Sequence, residues 1–184
     1  MTLIATERRY QGRIIHLDLE TVRFPDGSTG QLEMIRHPGA SAVVPLLDPI
    51  DAPDPRVLLI RQFRHAAGGY IWEIPAGLRD VPGEPPEVTA NRELIEEAGY
   101  DATSVELLTG FYNSAGISDA YTYVFLGTGL RAVARSTQGV EEDHMEIATF
   151  PLDEAVAMVE RGEINDAKTV IGLLLAARRV ASSG

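Results

Sequence analysis

The chain has 184 residues and a formal net charge of −11 at pH 7, with 45% hydrophobic and 23% charged residues. That length suits one domain, and the composition excludes a disordered or fibrous chain. No apolar run reaches the roughly 18 to 20 residues of a membrane helix, and the acidic balance lacks the basic footprint that holds a nucleic-acid backbone. The N-terminus meets Glu7, Arg8 and Arg9 before a signal-peptide stretch can develop. Cys is absent, so any metal must sit on oxygen or imidazole. A cytoplasmic protein is expected, with no membrane and no nucleic-acid partner.

In chain order, Arg13 to Leu17, Glu20 to Phe24 and Leu32 to His37 carry alternating or β-branched residues around the turn Pro25-Asp26-Gly27-Ser28. They predict a small N-terminal antiparallel sheet, marginal alone and in need of a partner surface. Ser41 to Leu47 and Val57 to Phe63 read as buried strands and Tyr70 to Pro75 as another short strand, with Tyr70 and Trp72 as core aromatics more readily than as platforms that could stack on a base. Gly77 to Pro85 is rich in Gly and Pro and reads as a loop. Pro85 or Pro86 at the start and Gly99 just past the end bracket a helix over Glu87 to Ala98. Strands follow at Leu107 to Tyr112, Tyr121 to Leu126 and Ile147 to Phe150, then helices from Pro151 to near Gly162 and from about Asp166 to Arg179. Strands and helices in mixed order predict a mixed sheet covered on both faces, an α/β/α sandwich.

The chemistry concentrates between Gly77 and Tyr100. On a helix, Glu93 is a neighbour of both Glu96 and Glu97, so three carboxylates share one edge. Stacked like charges destabilise a bare helix, which makes the edge sensible only against something cationic. Oxygen ligands of this kind suit Mg²⁺, with Mn²⁺ as the alternative. Arg92 is expected to point off that edge and to pair with Glu84 in the preceding loop.

Gly77, Glu84, Arg92, Glu93, Leu94, Glu96, Glu97 and Gly99 resemble the Nudix box, G-x5-E-x7-R-E-U-x-E-E-x-G-U with U apolar. The departures are six residues instead of five between Gly77 and Glu84, and Tyr100 at the last apolar place. Arg61-Gln62-Phe63-Arg64 and Trp72-Glu73-Ile74-Pro75-Ala76-Gly77 resemble Nudix enzymes that hydrolyse ADP-ribose and nucleotide sugars. The resemblance implies a Nudix-type sandwich over residues 39–184 and an N-terminal dimerisation subdomain over residues 1–38.

It also implies hydrolysis of a nucleoside diphosphate linked to a sugar, using two or three divalent cations, by a homodimer. Glu93 and Glu97 would be the principal metal ligands, Glu96 a further ligand or water contact, the Ala76 carbonyl a backbone ligand, and Arg92 a supporting residue. Arg64, Glu73, Gly77 and Glu33 would form the substrate set, with Glu33 near the base. The general base would be a loop carboxylate, Glu142 or, next to it, Glu141, with His144 a weaker candidate. Ser114-Ala115-Gly116-Ile117-Ser118-Asp119-Ala120 departs from the ADP-ribose subfamily's loop, which has Pro at the place of Ala115 and Glu at that of Ala120. GDP-mannose, UDP-glucose and other nucleotide sugars therefore stay open as substrates. A sensor module that binds such a ligand without cleaving it is the competing reading, and the complete set of box carboxylates speaks against it.

Overall fold

The computed structural model describes residues 1–135 and 145–183, which divide into two compact units. Glu141, Glu142 and His144 lie outside the described residues.

The first unit is Met1–Ala40 with Phe111–Thr122. Strands β1 (Thr2–Gln11), β2 (His16–Arg23) and β3 (Thr29–Arg36) form an antiparallel sheet in that order. The strand expected at Arg13 to Leu17 is instead mostly a turn, closed by the Gly12 N–H donating to the Ile15 carbonyl at 2.9 Å, and β1 precedes it. β1 escapes pattern reading because it is exposed at every position. Main-chain pairing with β2, from Thr2 opposite Arg23 to Gln11 opposite His16, holds it instead of a buried apolar face.

Asp18 sits in the middle of this sheet, 3% exposed, and accepts from Arg8 on β1 and from Arg36 Nε at 3.1 Å on β3. Those bonds, Arg8's first, hold its carboxyl below the usual range despite the burial. Arg36 also pairs with Glu20 and, at 3.1 Å, with Asp119. Asp119 accepts the His37 N–H at 2.9 Å, and its own N–H donates to the Ile35 carbonyl at 3.2 Å. The segment Ser114 to Ala120 is thus stitched to the end of β3 within this unit.

The second unit, Ser41–Gly110 with Tyr123–Gly184, carries two sheets. One is β10-β5-β6, with β5 Arg56–Arg64, β6 Gly69–Glu73 and β10 Glu146–Pro151. The other is β7-β4-β9-β8, with β4 Ala40–Pro45, β7 Ala76–Leu78, β8 Tyr100–Tyr112 and β9 Tyr121–Ala132. Helices are α1 (Pro86–Glu93), α2 (Leu152–Glu160) and α3 (Ala167–Ala181). Successive strand residues face opposite sides, and the two sides have different covers. Val43 and Phe125 pack with Leu58, Ile60, Ala90, Leu94 and Ala98, whereas Val44 and Val124 meet α3 at Gly172. The expected α/β/α sandwich is therefore present, and Leu94 and Leu173, each 0% exposed, pin the two helix layers. Truncating either to Ala removes about 2 to 5 kcal/mol.

Three local expectations change. β8 and β9 outrun their predicted spans, because their added stretches, Tyr100 to Glu106 and Gly127 to Ala132, are largely part-exposed or exposed and lack a continuous apolar pattern. Gly77 begins no loop but sits inside β7. The helix expected over Glu87 to Ala98 stops being α-helical at Glu93 and continues as a π-helical turn, Leu94–Ala98, closed by Gly99 at φ +71°. Such wide turns break the regular ladder and concentrate at functional sites. Tyr70 is also not core: it lies 55% exposed beside Phe63, with ring centroids 5.5 Å apart, and Arg61 stacks on both Tyr70 and Trp72.

Candidate active site

β7 and the π-helical turn bring the box residues together within the second unit. The Ala76 N–H donates to Glu97 Oε2 at 3.0 Å. A Cβ built on Gly77 would lie 2.0 Å from the Glu93 carboxyl carbon, so the strand passes the acid at a distance only glycine permits. Glu97 is 6% exposed, and its pKa is raised from 4.5 to about 8. Burial is the main cause and the charges of Glu93 and Glu73 add to it, while the Ala76 N–H and Arg64 pull the other way.

Arg92 does not point off the acidic edge as its helix position suggested. It lies across the edge, donating from Nη1 to Glu93 at 2.7 Å and to Glu96 at 3.2 Å. It also takes Glu84 in a two-pronged pair at 3.3 and 3.2 Å. Arg92 and Glu96 are four residues apart, a spacing that puts two side chains on one helix face, and the bond to Glu93 turns the guanidinium further onto the acids. Thr89 Oγ1 donates to Glu84 at 2.7 Å, so loop and helix are locked by the same carboxylate. Glu84 is held below its usual pKa by Arg92 and Thr89. Among the described residues no three acidic or imidazole side chains close on one point. The arrangement is a close pair, Glu93 and Glu97, with Glu96 tied to Arg92.

A second group lies on β5, β6 and α3. Glu73, only 1% exposed, accepts from Arg64 Nε at 2.7 Å and Nη2 at 2.8 Å, and from Lys168 Nζ at 2.6 Å. Burial pushes its pKa up, but the Arg64 hydrogen bonds and the Lys168 charge outweigh it and leave Glu73 below its ordinary value. Lys168 is fixed in turn by Asp166 at 3.0 Å, the residue that caps α3 by accepting from the Thr169 N–H. Thr169 Oγ1 donates to Asp166 at 2.7 Å and accepts the Ile74 N–H at 3.0 Å, which fastens the helix start to the strand. Sequence reasoning missed Lys168. The available signal was Glu73 itself, an acid inside an apolar strand, which needs a cationic partner. Glu33 belongs to the first unit, exposed on β3 opposite Leu19.

A family model described as NUDIX domain matches residues 36–171. The chain belongs to the NUDIX family. It is 39% identical over 171 residues to the ADP-ribose pyrophosphatase of Mycobacterium tuberculosis, an overlap of 93% of this chain and 80% of that protein. The ADP-ribose pyrophosphatase of Bacillus subtilis is 36% identical over 170 residues, covering 92% of this chain and 89% of its own length. A crystal structure of an ADP compounds hydrolase superposes on the whole chain, and on 95% of its own, with a TM-score of 0.84 at 23% identity, which shows the shared fold. The protein is a NUDIX hydrolase, and the charged positions of its NUDIX box are those gathered around β7.

Gly77 carries a sharp prediction for this hydrolase. Gly77→Ala drives a methyl into the Glu93 carboxyl, so Glu93 must move by more than an ångström. Displacements of that size cost about a hundredfold in rate. Comparing kcat of the variant with wild type at matched melting temperature checks this, and unchanged turnover would mean that Glu93 need not sit where it does.

Proposed function

We propose that this NUDIX hydrolase cleaves the diphosphate bond of ADP-ribose or a related nucleotide sugar with water, giving a nucleoside monophosphate and a sugar phosphate, in a reaction that requires divalent cations. The supporting observation is the burial of Glu97 beside Glu93. Two acids in a poorly hydrated place repel each other and favour a cation between or against them. Carboxylates in ones and twos, completed by carbonyls, waters and substrate phosphates, are the donor set that Mg²⁺ takes. The residues present fit that role: Glu93 and Glu97 as principal ligands, Glu96 and the Ala76 carbonyl as further ones. Two or three Mg²⁺ ions, or Mn²⁺, are held when substrate is bound. Bound there, the ions supply charge neutralisation of the diphosphate and a lowered pKa for the attacking water.

Arg92 keeps Glu93 and Glu96 in place and gives up part of its hold when cations arrive. Arg64, oriented by the buried Glu73, has N–H donors beyond the two bonded to that acid and directs them at a phosphate or ribose oxygen. Gly77 leaves room for the acid at the reacting centre, and Glu33 contacts the base. Glu142 is the general base, with Glu141 its alternate.

The working form is a cytoplasmic homodimer built through residues 1–38, with residues 39–184 as the catalytic domain. Support for the dimer comes from β1, whose exposed length presents Leu3, Ile4 and Tyr10. Sedimentation equilibrium should give twice the 20.0 kDa chain mass, and a single-chain mass at working concentration contradicts the dimer.

The function is tested by incubating the protein with Mg²⁺ or Mn²⁺ and ADP-ribose, GDP-mannose, UDP-glucose, ATP or NADH, resolving products by ion exchange. AMP with ribose 5-phosphate from ADP-ribose is expected. Cleavage confined to another nucleotide sugar moves the substrate and keeps the reaction. No cleavage with either metal overturns the reading.

A further inference from the structure

Arg79 follows β7 directly, two residues beyond Gly77. Its Nε is buried with no hydrogen-bond partner, and its guanidinium lies 4.9 Å from the centre of the Tyr123 ring. Tyr123 on β9 packs against the cluster that contains Ala90, Leu94 and Ala98, so Arg79 projects over the sheet face covered by α1 and the π-helical turn. That is the face on which Gly77 meets Glu93. Arg64 and Arg92 are clamped by carboxylates, whereas Arg79 has an aromatic ring beneath it.

A flat guanidinium held on an aromatic face is pre-organised, and with Nε buried its two terminal nitrogens are the donors a ligand would meet. The surrounding acids, Glu93 and Glu97 with Glu84 and Glu96 behind them, would repel an anionic ligand. A cation presented from the same strand offsets that repulsion where it matters. We propose that Arg79 is a further substrate-contacting residue, its ring-supported guanidinium donating to a phosphate oxygen of the diphosphate held over the Glu93 and Glu97 edge. This rests on the reading of that edge as a diphosphate site. It assigns to Arg79 the discrimination between diphosphate compounds and uncharged nucleosides.

The probe is α,β-methylene-ADP, a diphosphate that cannot be hydrolysed at its bridging carbon, titrated calorimetrically in Mg²⁺ into wild type, Arg79→Gln, Arg79→Lys and Tyr123→Leu. Arg79→Gln should weaken binding about ten- to a hundredfold, the range of one or two charge-assisted bonds. Arg79→Lys should recover part of the loss because charge returns without the fork. Tyr123→Leu, which keeps the arginine and removes its support, should lie between wild type and Arg79→Gln. With a cleaved nucleotide sugar, KM should rise more than kcat falls. Melting curves identify any variant that fails to fold, and Arg79→Lys then carries the comparison. A folded Arg79→Gln that binds like wild type overturns the proposal and leaves the diphosphatase reading intact. Wild type that neither binds the analogue nor cleaves a nucleotide sugar removes that reading, and this proposal with it.

Discussion

Glu97→Gln should abolish turnover while stabilising the metal-free protein at pH 8. Glutamine keeps the shape and the acceptor for the Ala76 N–H at 3.0 Å, but cannot carry the charge that a divalent cation needs. With Glu97 as the metal ligand proposed above, its loss would remove several kcal/mol of transition-state stabilisation, a fall of about a thousandfold in kcat. The stability effect has the opposite sign. Glu97 titrates at about 8 in the folded protein against 4.5 in an open chain, so between these pH values the folded state binds the extra proton. Its contribution is therefore fully present below pH 4.5 and is lost as pH rises towards 8, by an amount on the order of a few kcal/mol. Metal-free wild type should lose melting temperature from pH 5 to pH 8 relative to the variant, and Mg²⁺ should restore it only in wild type. Parallel melting profiles, or activity retained within tenfold, would contradict the role given to Glu97.

Glu73→Gln should be the most destabilising single change near the site. The carboxylate is 1% exposed and carries three hydrogen bonds from two cations. An amide offers one acceptor oxygen, so Arg64 and Lys168 are left beside a neutral group. Breaking a buried pair in this way costs about 3 to 5 kcal/mol, or roughly 6 to 20 °C in melting temperature for a chain of this size. Lys168→Met should cost less, because Arg64 still covers the acid. The pH dependence follows from a folded pKa below the ordinary 4.5: the contribution is complete above pH 4.5 and disappears as pH falls through the folded value. Urea unfolding at pH 7 and pH 3 checks this. A difference between wild type and variant that is large at pH 7 and smaller at pH 3 is expected, and a pH 7 difference below about 1 kcal/mol would mean the cluster is solvated.

What the sequence disclosed about this fold depended on periodicity and spacing. Strands β4 and β5 were readable from their apolar runs, Ala42 to Val44 and Val57 to Ile60. The NUDIX box was readable because its charged residues fall at set intervals along one continuous stretch. β1 carries neither signal: it is exposed on both faces and exists through main-chain pairing with β2. Arg92 was misdirected by weighing only Glu84 as its partner, although Glu96 stands four residues on, within reach along any helix. Lys168 was invisible for another reason, since it meets Glu73 across 95 residues of sequence, a contact that only packing α3 onto β6 creates. Arg79 sits in a stretch that reads as an ordinary loop, and only the ring of Tyr123 beneath it gives it significance.

The proposed reaction depends on half-buried Glu93 and buried Glu97 binding a divalent cation. The most direct measurement is titration of the metal-free protein with Mn²⁺, following free Mn²⁺ by its electron paramagnetic resonance signal, for wild type and Glu97→Gln. Wild type should deplete the free ion signal at stoichiometric protein, more strongly at pH 8 than at pH 6 because the ion and the Glu97 proton compete, and the variant should lose this depletion. Equal free Mn²⁺ in wild type and variant at both pH values would contradict the account.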